Sequence, residues 1–269
     1  MNIEDEQILT QGSAGSLNYN SLVRLVVSNT ILTIKENAFI NFKSILKFVE
    51  FGNNITTIDT KAFYACNKLT TIDLSVTKIT TIGEHAFDNC SNLFYVQFPN
   101  TLINLMAYAF SNCSKLNNID LSKTDVTIIG AYAFYYCSSL SNIKLPINII
   151  ELEDGVFYKC AIEDIDLLNI KKIGQSCFKA CNFSSIIIPL SVNEIGNDAF
   201  YNTLTYGIVN VYMKATIPPN IGTNAFYAKS FVTIYVPQEA LSSYESIDNL
   251  SGYTIESIDN LSGYTIRVN

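Results

Sequence analysis

The chain predicts a β-rich solenoid of short stacked coils with parallel strands. Three observations predict it. Phenylalanine recurs at intervals of 21 to 26 residues, at Phe39, Phe63, Phe87, Phe110, Phe134, Phe157, Phe178, Phe200 and Phe226. Every one of them is preceded, five positions earlier, by an aliphatic residue. A short stretch after most of them alternates apolar, other, apolar. A period of this size means coils that stack, because a unit so short cannot bury its own apolar face.

One copy shows the frame: Ile79, Ile82, Ala86, Phe87 and Cys90, then Leu93, Val96 and Phe98. The position five before the phenylalanine holds Ile34, Ile58, Ile82, Leu105, Ile129, Leu152, Ile173, Ile195 and Ile221. Three residues earlier stand Ile31, Ile55, Ile79, Leu102, Val126, Ile149, Ile170 and Val192, and only Pro218 breaks the set.

Behind each cysteine the pattern is Leu-x-x-Ile-x-Leu, as in Leu69, Ile72, Leu74 and Leu140, Ile143, Leu145. Its last three residues have the two-residue period of a strand with one buried face. Pro99, Pro146, Pro189 and Pro237 end four such strands. Proline lacks an N–H and fixes φ, so it suits the point where a strand leaves a ladder. Two copies instead use a linker one residue longer, Ser75 to Lys78 and Ser122 to Asp125. Stacked in parallel about 4.8 Å apart, the strands form a sheet and the Phe, Cys and Ile positions form internal columns.

The run Ile-x-x-Ile-Gly-x-x-Ala-Phe-x-x-Cys-x-x-Leu-x-x-Ile-x-Leu-Pro resembles the BspA-like leucine-rich repeat family, also called the Treponema pallidum type. Its best stretches are Ile79 to Phe98, Val126 to Pro146 and Ile170 to Pro189. The resemblance spans about residues 22 to 240. It implies a curved, right-handed leucine-rich repeat solenoid with a parallel concave sheet and an irregular convex side holding at most short helical turns, in surface or secreted proteins that adhere to host proteins or to other cells. The family often has glycine two residues after the phenylalanine. Here that position is Asn41, Asn89, Asn112 and Asn202 in four copies, and asparagine tolerates a left-handed backbone. Tyr136, Lys159 and Ala180 fit that slot less comfortably. The copy from Cys160 to Phe178 is one residue short after its cysteine, so its coil should be tightened.

Three regions follow. Residues 1–21 carry no frame and read as an N-terminal cap or loop; residues 22–237 are the solenoid; residues 238–269 are a C-terminal cap. In the cap, Gln238 to Tyr244 suits a short helix over the last coil. The 11 residues from Glu245 to Ile255 are repeated identically from Glu256 to Ile266, and two copies compete for one place.

The net charge of −7 argues against nucleic acid, whose phosphates need a basic face. No apolar run is long enough for a transmembrane helix, and the acidic start Met1 to Glu6 does not read as a signal peptide. The sequence is compatible with a cell-surface or secreted protein whose leader has been removed, and alternatively with a cytoplasmic one.

Six of the seven cysteines, Cys66, Cys90, Cys113, Cys137, Cys160 and Cys181, occupy one repeat position. Stacked side chains have parallel Cβ vectors about 4.8 Å apart, whereas a disulfide wants them about 3.8 Å apart and facing. Reduced, buried thiols are therefore expected, and Cys177 before Phe178 joins them.

The sequence shows no nucleophile-elbow, zincin or phosphate-loop pattern, and no catalytic, cofactor-binding or metal-binding residue is expected. The single histidine, His85, occupies a slot that varies among copies and reads as exposed and without an orienting partner. Asp164 and Asp166 read as neighbours on one strand. What remains is surface. Two outward columns flank the middle apolar rung of the concave strands: Thr71 and Asp73, Tyr95 and Gln97, Asn118 and Asp120, Asn142 and Lys144, Asp164 and Asp166. Ser185 with Ile187, and Ile208 with Asn210, extend them. This varied polar face is the candidate for binding a protein partner, host or cell-surface, and the fitting role is a non-enzymatic binding module. An intracellular interaction scaffold is the alternative.

Overall fold

Each coil bends where its sequence changes period. The aliphatic residue five before the phenylalanine closes a two-residue strand in all nine coils, from Thr33–Ile34 through Thr81–Ile82 and Glu151–Leu152 to Asn220–Ile221. These pair in parallel register, Thr57 with Thr81 and Asn104 with Ile128, for example. The protein is known from a computed structural model, which describes residues 2–3, 8–9, 24–202, 208, 210–228 and 231–261.

The second ladder is the concave sheet. Its strands Arg24–Val27, Phe48–Glu50, Thr71–Asp73, Tyr95–Gln97, Asn118–Asp120, Asn142–Lys144, Ser185–Ile188, Asn210–Met213 and Thr233–Val236 alternate buried and outward residues. All recorded pairings in it are parallel. No strand pairing is recorded between Phe48–Glu50 and Thr71–Asp73 or between Tyr95–Gln97 and Asn118–Asp120, and at the short coil after Cys160 the strand itself is missing. Residues 163–167 form no strand, so Asp164 and Asp166 do not share one as the sequence suggested. With a residue missing, that coil cannot reach both neighbours in register.

A second correction concerns Ile208. It is buried, and the strand runs from Asn210, with Ser185 opposite Asn210 and Ile187 opposite Tyr212. The outward pair in this coil is Asn210 and Tyr212. The interval from Phe200 to Phe226 is the longest in the chain at 26 residues, so a uniform frame falls two residues short.

The nine repeat phenylalanines form one unbroken column inside. Adjacent rings lie 4.8 to 5.8 Å apart, with planes within 17° of parallel. Phe98 meets the Phe110 ring edge-on, and Phe183 does the same to Phe178 and Phe200. Every ring is essentially inaccessible, and each such burial contributes about 1.5–3 kcal/mol.

The convex wall contains a single 3-10 turn, Ile40–Phe42, among the described residues. Elsewhere it repeats one backbone pattern. The residue two before the phenylalanine is left-handed in every coil: Asn37, Lys61, His85, Tyr108, Tyr132, Gly155, Ser176, Asp198 and Asn224 have φ between 54° and 61°. Ala65, Asn89, Asn112, Tyr136, Lys159 and Ala180, two after it, are left-handed as well. Asn41 instead lies in the 3-10 turn. Such a backbone costs roughly 1 kcal/mol or more for a residue with a Cβ. Hydrogen bonds offset it. His85, Phe87 and Asn89 donate their N–H groups to the carbonyls of Ala107, Ala109 and Ser111 in the next coil, at 3.1, 2.8 and 2.8 Å. The same trio recurs from Tyr108, Phe110 and Asn112 to the coil beyond.

At the ends, Asn2–Ile3 pairs with Val26–Val27 and Ile8–Leu9 with Thr33–Ile34, so the N-terminal segment adds strands to both ladders. The expected C-terminal helix is Leu241–Glu245, preceded by the 3-10 turn Gln238–Ala240. Tyr244 is fully buried and its hydroxyl donates to the Ala215 carbonyl at 2.9 Å. In the duplicated tail, the first copy buries Leu250, and Asn249 Nδ2 donates to the Ile221 carbonyl at 2.7 Å. The strand Thr254–Ser257 joins the two copies and pairs with Thr233–Val236. The rest of the second copy after residue 261 lies outside the described residues.

Candidate protein-binding surface

The concave strands hold eight of the ten candidate residues in one array. Thr71 faces Tyr95, Asp73 faces Gln97, Asn118 faces Asn142 and Asp120 faces Lys144. Thr71 is half-buried and the other nine are exposed. Beneath them Ile72, Val96, Ile119 and Ile143 are buried, which fixes the direction of each outward neighbour. Lys144 Nζ approaches Asp120 Oδ2 at 3.4 Å, and the Tyr95 hydroxyl donates to Gln97 Oε1 at 3.1 Å.

Three of the aspartates also build the turns. Asp73 Oδ1 accepts from the Ser75 N–H at 2.9 Å and hydroxyl at 2.6 Å, and Asp120 does the same for Ser122 at 3.0 and 2.6 Å. Asp166 Oδ1 accepts from the Leu168 N–H at 2.9 Å. Such side-chain turns replace proline where the strand must leave the sheet. Downstream, the buried hydroxyls of Thr77 and Thr124 donate to the Leu74 and Leu121 carbonyls at 2.7 and 2.8 Å. The Asp-Leu-Ser-x-Thr motif of these two coils is thus a turn signature, readable in the sequence beside the longer linker. The Ser122 hydroxyl holds the Asp120 carboxyl below its ordinary range, helped by the Ser122 N–H and by Lys144.

The sequence reading missed two aromatic members of this face. Tyr212 and Tyr235 stack with centroids 5.1 Å apart near its C-terminal end. The alternation in Asn210–Met213 and Thr233–Val236 was the available signal.

His85 is half-buried and has a partner, contrary to the sequence expectation. Its Nδ1 lies 2.8 Å from Asp88 Oδ2, and its ring stacks on Tyr108 at 4.7 Å, which stacks on Tyr132 at 5.1 Å. Asp88 is buried, and its Oδ1 accepts from Asn89 and Asn112 Nδ2 at 2.9 and 3.2 Å. This cluster ties adjacent coils of the convex wall together.

All seven cysteines are free and buried. Burial pushes the Cys66 and Cys181 thiols up to about 12 and raises the other five. Thiols so far from ionising are poor nucleophiles and poor metal ligands. Among the described residues no group of His, Cys, Asp or Glu side chains is placed to hold a metal ion. No helix among them is long and apolar enough to cross a membrane.

The model of the BspA-type leucine-rich repeat region, present in six copies, matches residues 13–125, 75–182, 104–233 and 171–265. No curated protein sequence matches the chain. Among solved structures, the chain is similar to a leucine-rich cell surface protein from Faecalibacterium prausnitzii A2-165. That pair has 18% identity and a TM-score of 0.57, over 88% of each chain. It is also similar to a leucine-rich repeat protein from Bacteroides ovatus ATCC 8483, with 20% identity and a TM-score of 0.56, over 86% of this chain and 77% of that one. These likenesses establish the fold.

Proposed function

Because the chain belongs to the BspA-type leucine-rich repeat family, we propose that it is a non-enzymatic protein-binding module that works through its concave sheet. One observation carries this reading. Over a uniform interior, the outward concave positions change chemistry from coil to coil: hydroxyl, aromatic ring, amide, carboxylate and ammonium. A rigid sheet with such a face can meet an extended partner at many points at once.

The site of action in this proposal is the cell surface or the surrounding medium. The description of the Faecalibacterium protein as a cell surface protein supports it. An adhesive role toward host proteins or other cells is the finer part of the proposal. Labelling of intact cells with an impermeant reagent tests the location, and protection of the protein would favour the intracellular scaffold instead.

Binding is tested by capture on the immobilised chain. Tyr95→Ala, Asn118→Ala and Asn142→Ala combined alter exposed side chains that no turn requires. At least tenfold weaker recovery of the captured partner is expected, while Lys61→Ala and Glu84→Ala on the convex wall leave recovery unchanged. Equal recovery by the concave variant would remove the sheet from the role.

A further inference from the structure

The one described coil without a concave strand borders an apolar groove. About 720 Å³ of open space lies between the coil of Asp164 to Leu168 and that of Ile187 to Ser191. Ile165, Leu167, Ile187 and Pro189 line it. A second space of about 420 Å³ adjoins it, sharing Asp166 and Leu168, and continues past Ile147 toward Ser122. The outer wall carries large aliphatic side chains in one turn slot of three successive coils. Ile147, Leu168 and Leu190 are 74%, 67% and 72% exposed. Single exposed apolar residues need no explanation, but a row of three along a groove does.

The groove is lined by Asp164, Asp166 and one lysine, Lys214, and the adjoining space adds Lys144, which pairs with Asp120, so the two carboxylates outnumber the one lysine left to face an occupant. Asp164 and Asp166 stand on its rim, both exposed. Their recorded partners are backbone N–H groups, of Ile165 and Leu168 at 2.9 Å, and no cation among the described residues pairs with either. Asp120, by contrast, has Lys144. Backbone polarity is on offer too, because residues 163–166 donate no backbone hydrogen bond to either neighbouring coil.

We propose that this groove anchors a short extended peptide segment of a protein partner, one carrying bulky aliphatic side chains beside lysine or arginine. The proposal rests on the concave-face reading and narrows it to one locus. The groove crosses five coils, from Ser122 to Lys214. Four spacings of about 4.8 Å give about 19 Å, the reach of about six extended residues. Aliphatic side chains fill the row between the turns, and a cation beside them meets a carboxylate in a setting drier than open surface, where the attraction is stronger. An anionic membrane or a nucleic acid is disfavoured, because Asp164 and Asp166 outnumber Lys214 along the groove.

The test is fluorescence anisotropy with the full chain and labelled hexapeptides. One probe alternates leucine and arginine, one replaces each leucine by serine, and one replaces each arginine by glutamate. The leucine–arginine probe should bind at least tenfold tighter than either control, and its binding should weaken with added salt. Leu168→Ser with Leu190→Ser should reduce it at least tenfold. So should Asp164→Asn with Asp166→Asn, a pair chosen because asparagine keeps the Asp166 turn. All four side chains are exposed, so unchanged melting curves should certify the fold. Equal affinity for the serine–arginine probe, or variants that bind like wild type, would overturn the groove. If in that case Tyr95→Ala, Asn118→Ala and Asn142→Ala still lose the captured partner, the concave sheet stands without the groove. If instead the groove variants fail to bind the probe while the captured partner ignores that triple change, the groove stands and the broader concave face falls.

Discussion

The thiol of Cys113 donates to the carbonyl oxygen of Phe87, one coil back and 3.2 Å away. The same carbonyl accepts the N–H of Cys90, also at 3.2 Å. The arrangement repeats along the solenoid: Cys90 to Phe63 at 3.2 Å, Cys137 to Phe110 at 3.1 Å, Cys160 to Phe134 at 3.2 Å and Cys181 to Phe157 at 3.0 Å. Cysteine at this position is therefore a small hydrophobe that also fills the second lone pair of a buried carbonyl.

That double role ranks substitutions. Cys113→Ser keeps a donor and should cost about 1 kcal/mol. Cys113→Val loses the donor and crowds the column, and should cost about 2 kcal/mol. Urea midpoints of the two variants check the order. A valine variant as stable as wild type would show that the thiol acts by size alone.

High pH should dissolve the column. Burial raises the thiols in the folded chain, to about 12 for Cys66 and Cys181, while an unfolded thiol titrates at about 8.5. A raised folded value gives stability that is complete below the unfolded value and is lost as pH climbs toward the folded one. Each thiol then removes about 1.4 kcal/mol per pH unit above about pH 8.5. Several acting together exhaust a stability of about 5–15 kcal/mol within one or two pH units. Unfolding free energy measured from pH 8 to 10.5 should fall steeply. In a Cys90→Ser, Cys113→Ser, Cys137→Ser variant the slope should be shallower by about 4 kcal/mol per pH unit. An unchanged slope would mean other groups govern alkaline unfolding.

Phe110 stacks between Phe87 and Phe134 and receives the edge of Phe98. Phe110→Ala should cost about 3–5 kcal/mol. Because each coil touches only its neighbours, the unfolding transition should also broaden as the two halves separate. Calorimetry reads both effects, and an unmoved, sharp transition would contradict the stacked interior.

The interior was legible in the sequence because burial in a repeat imposes one residue type per position. Phe87 and Ile82 each report a contact made nine times, and Cys90 one made six times. The left-handed slot two residues before each phenylalanine was not legible, although the one two residues after it was read from Asn89 and Asn112. A backbone conformation held by N–H groups bonded to the next coil leaves side-chain type open, and so Lys61, His85, Tyr108 and Ser176 share one φ. A slot that looks variable is then both half-buried and conformationally demanding, as His85 shows. The concave face was legible where coils keep a constant length. It failed at Ile208, within the longest interval, and at Asp164 and Asp166, in the shortest coil. The turn aspartates hid for another reason: Asp73 and Asp120 are exposed, and exposure reads as availability until their serine partners are placed.

Gly155 separates the two demands on that wall. It is left-handed, with φ of 61°, but Ala65 and Ala180 hold φ of 57° and 60° in the same wall. Conformation alone does not require glycine here. The ring of Tyr132, from the preceding coil, occupies the place a Cβ would take. Gly155→Ala should therefore cost about 2–4 kcal/mol, of which only about 1–2 is backbone strain. The remainder is displacement of the Tyr132 ring, which also breaks its stack on Tyr108. Tyr132→Ser should relieve that part, so the double variant should be less stable than Tyr132→Ser by only about 1–2 kcal/mol. Thermal denaturation of the four proteins in this cycle measures the coupling. Strictly additive effects would show that the ring yields freely and that glycine is needed for its φ after all.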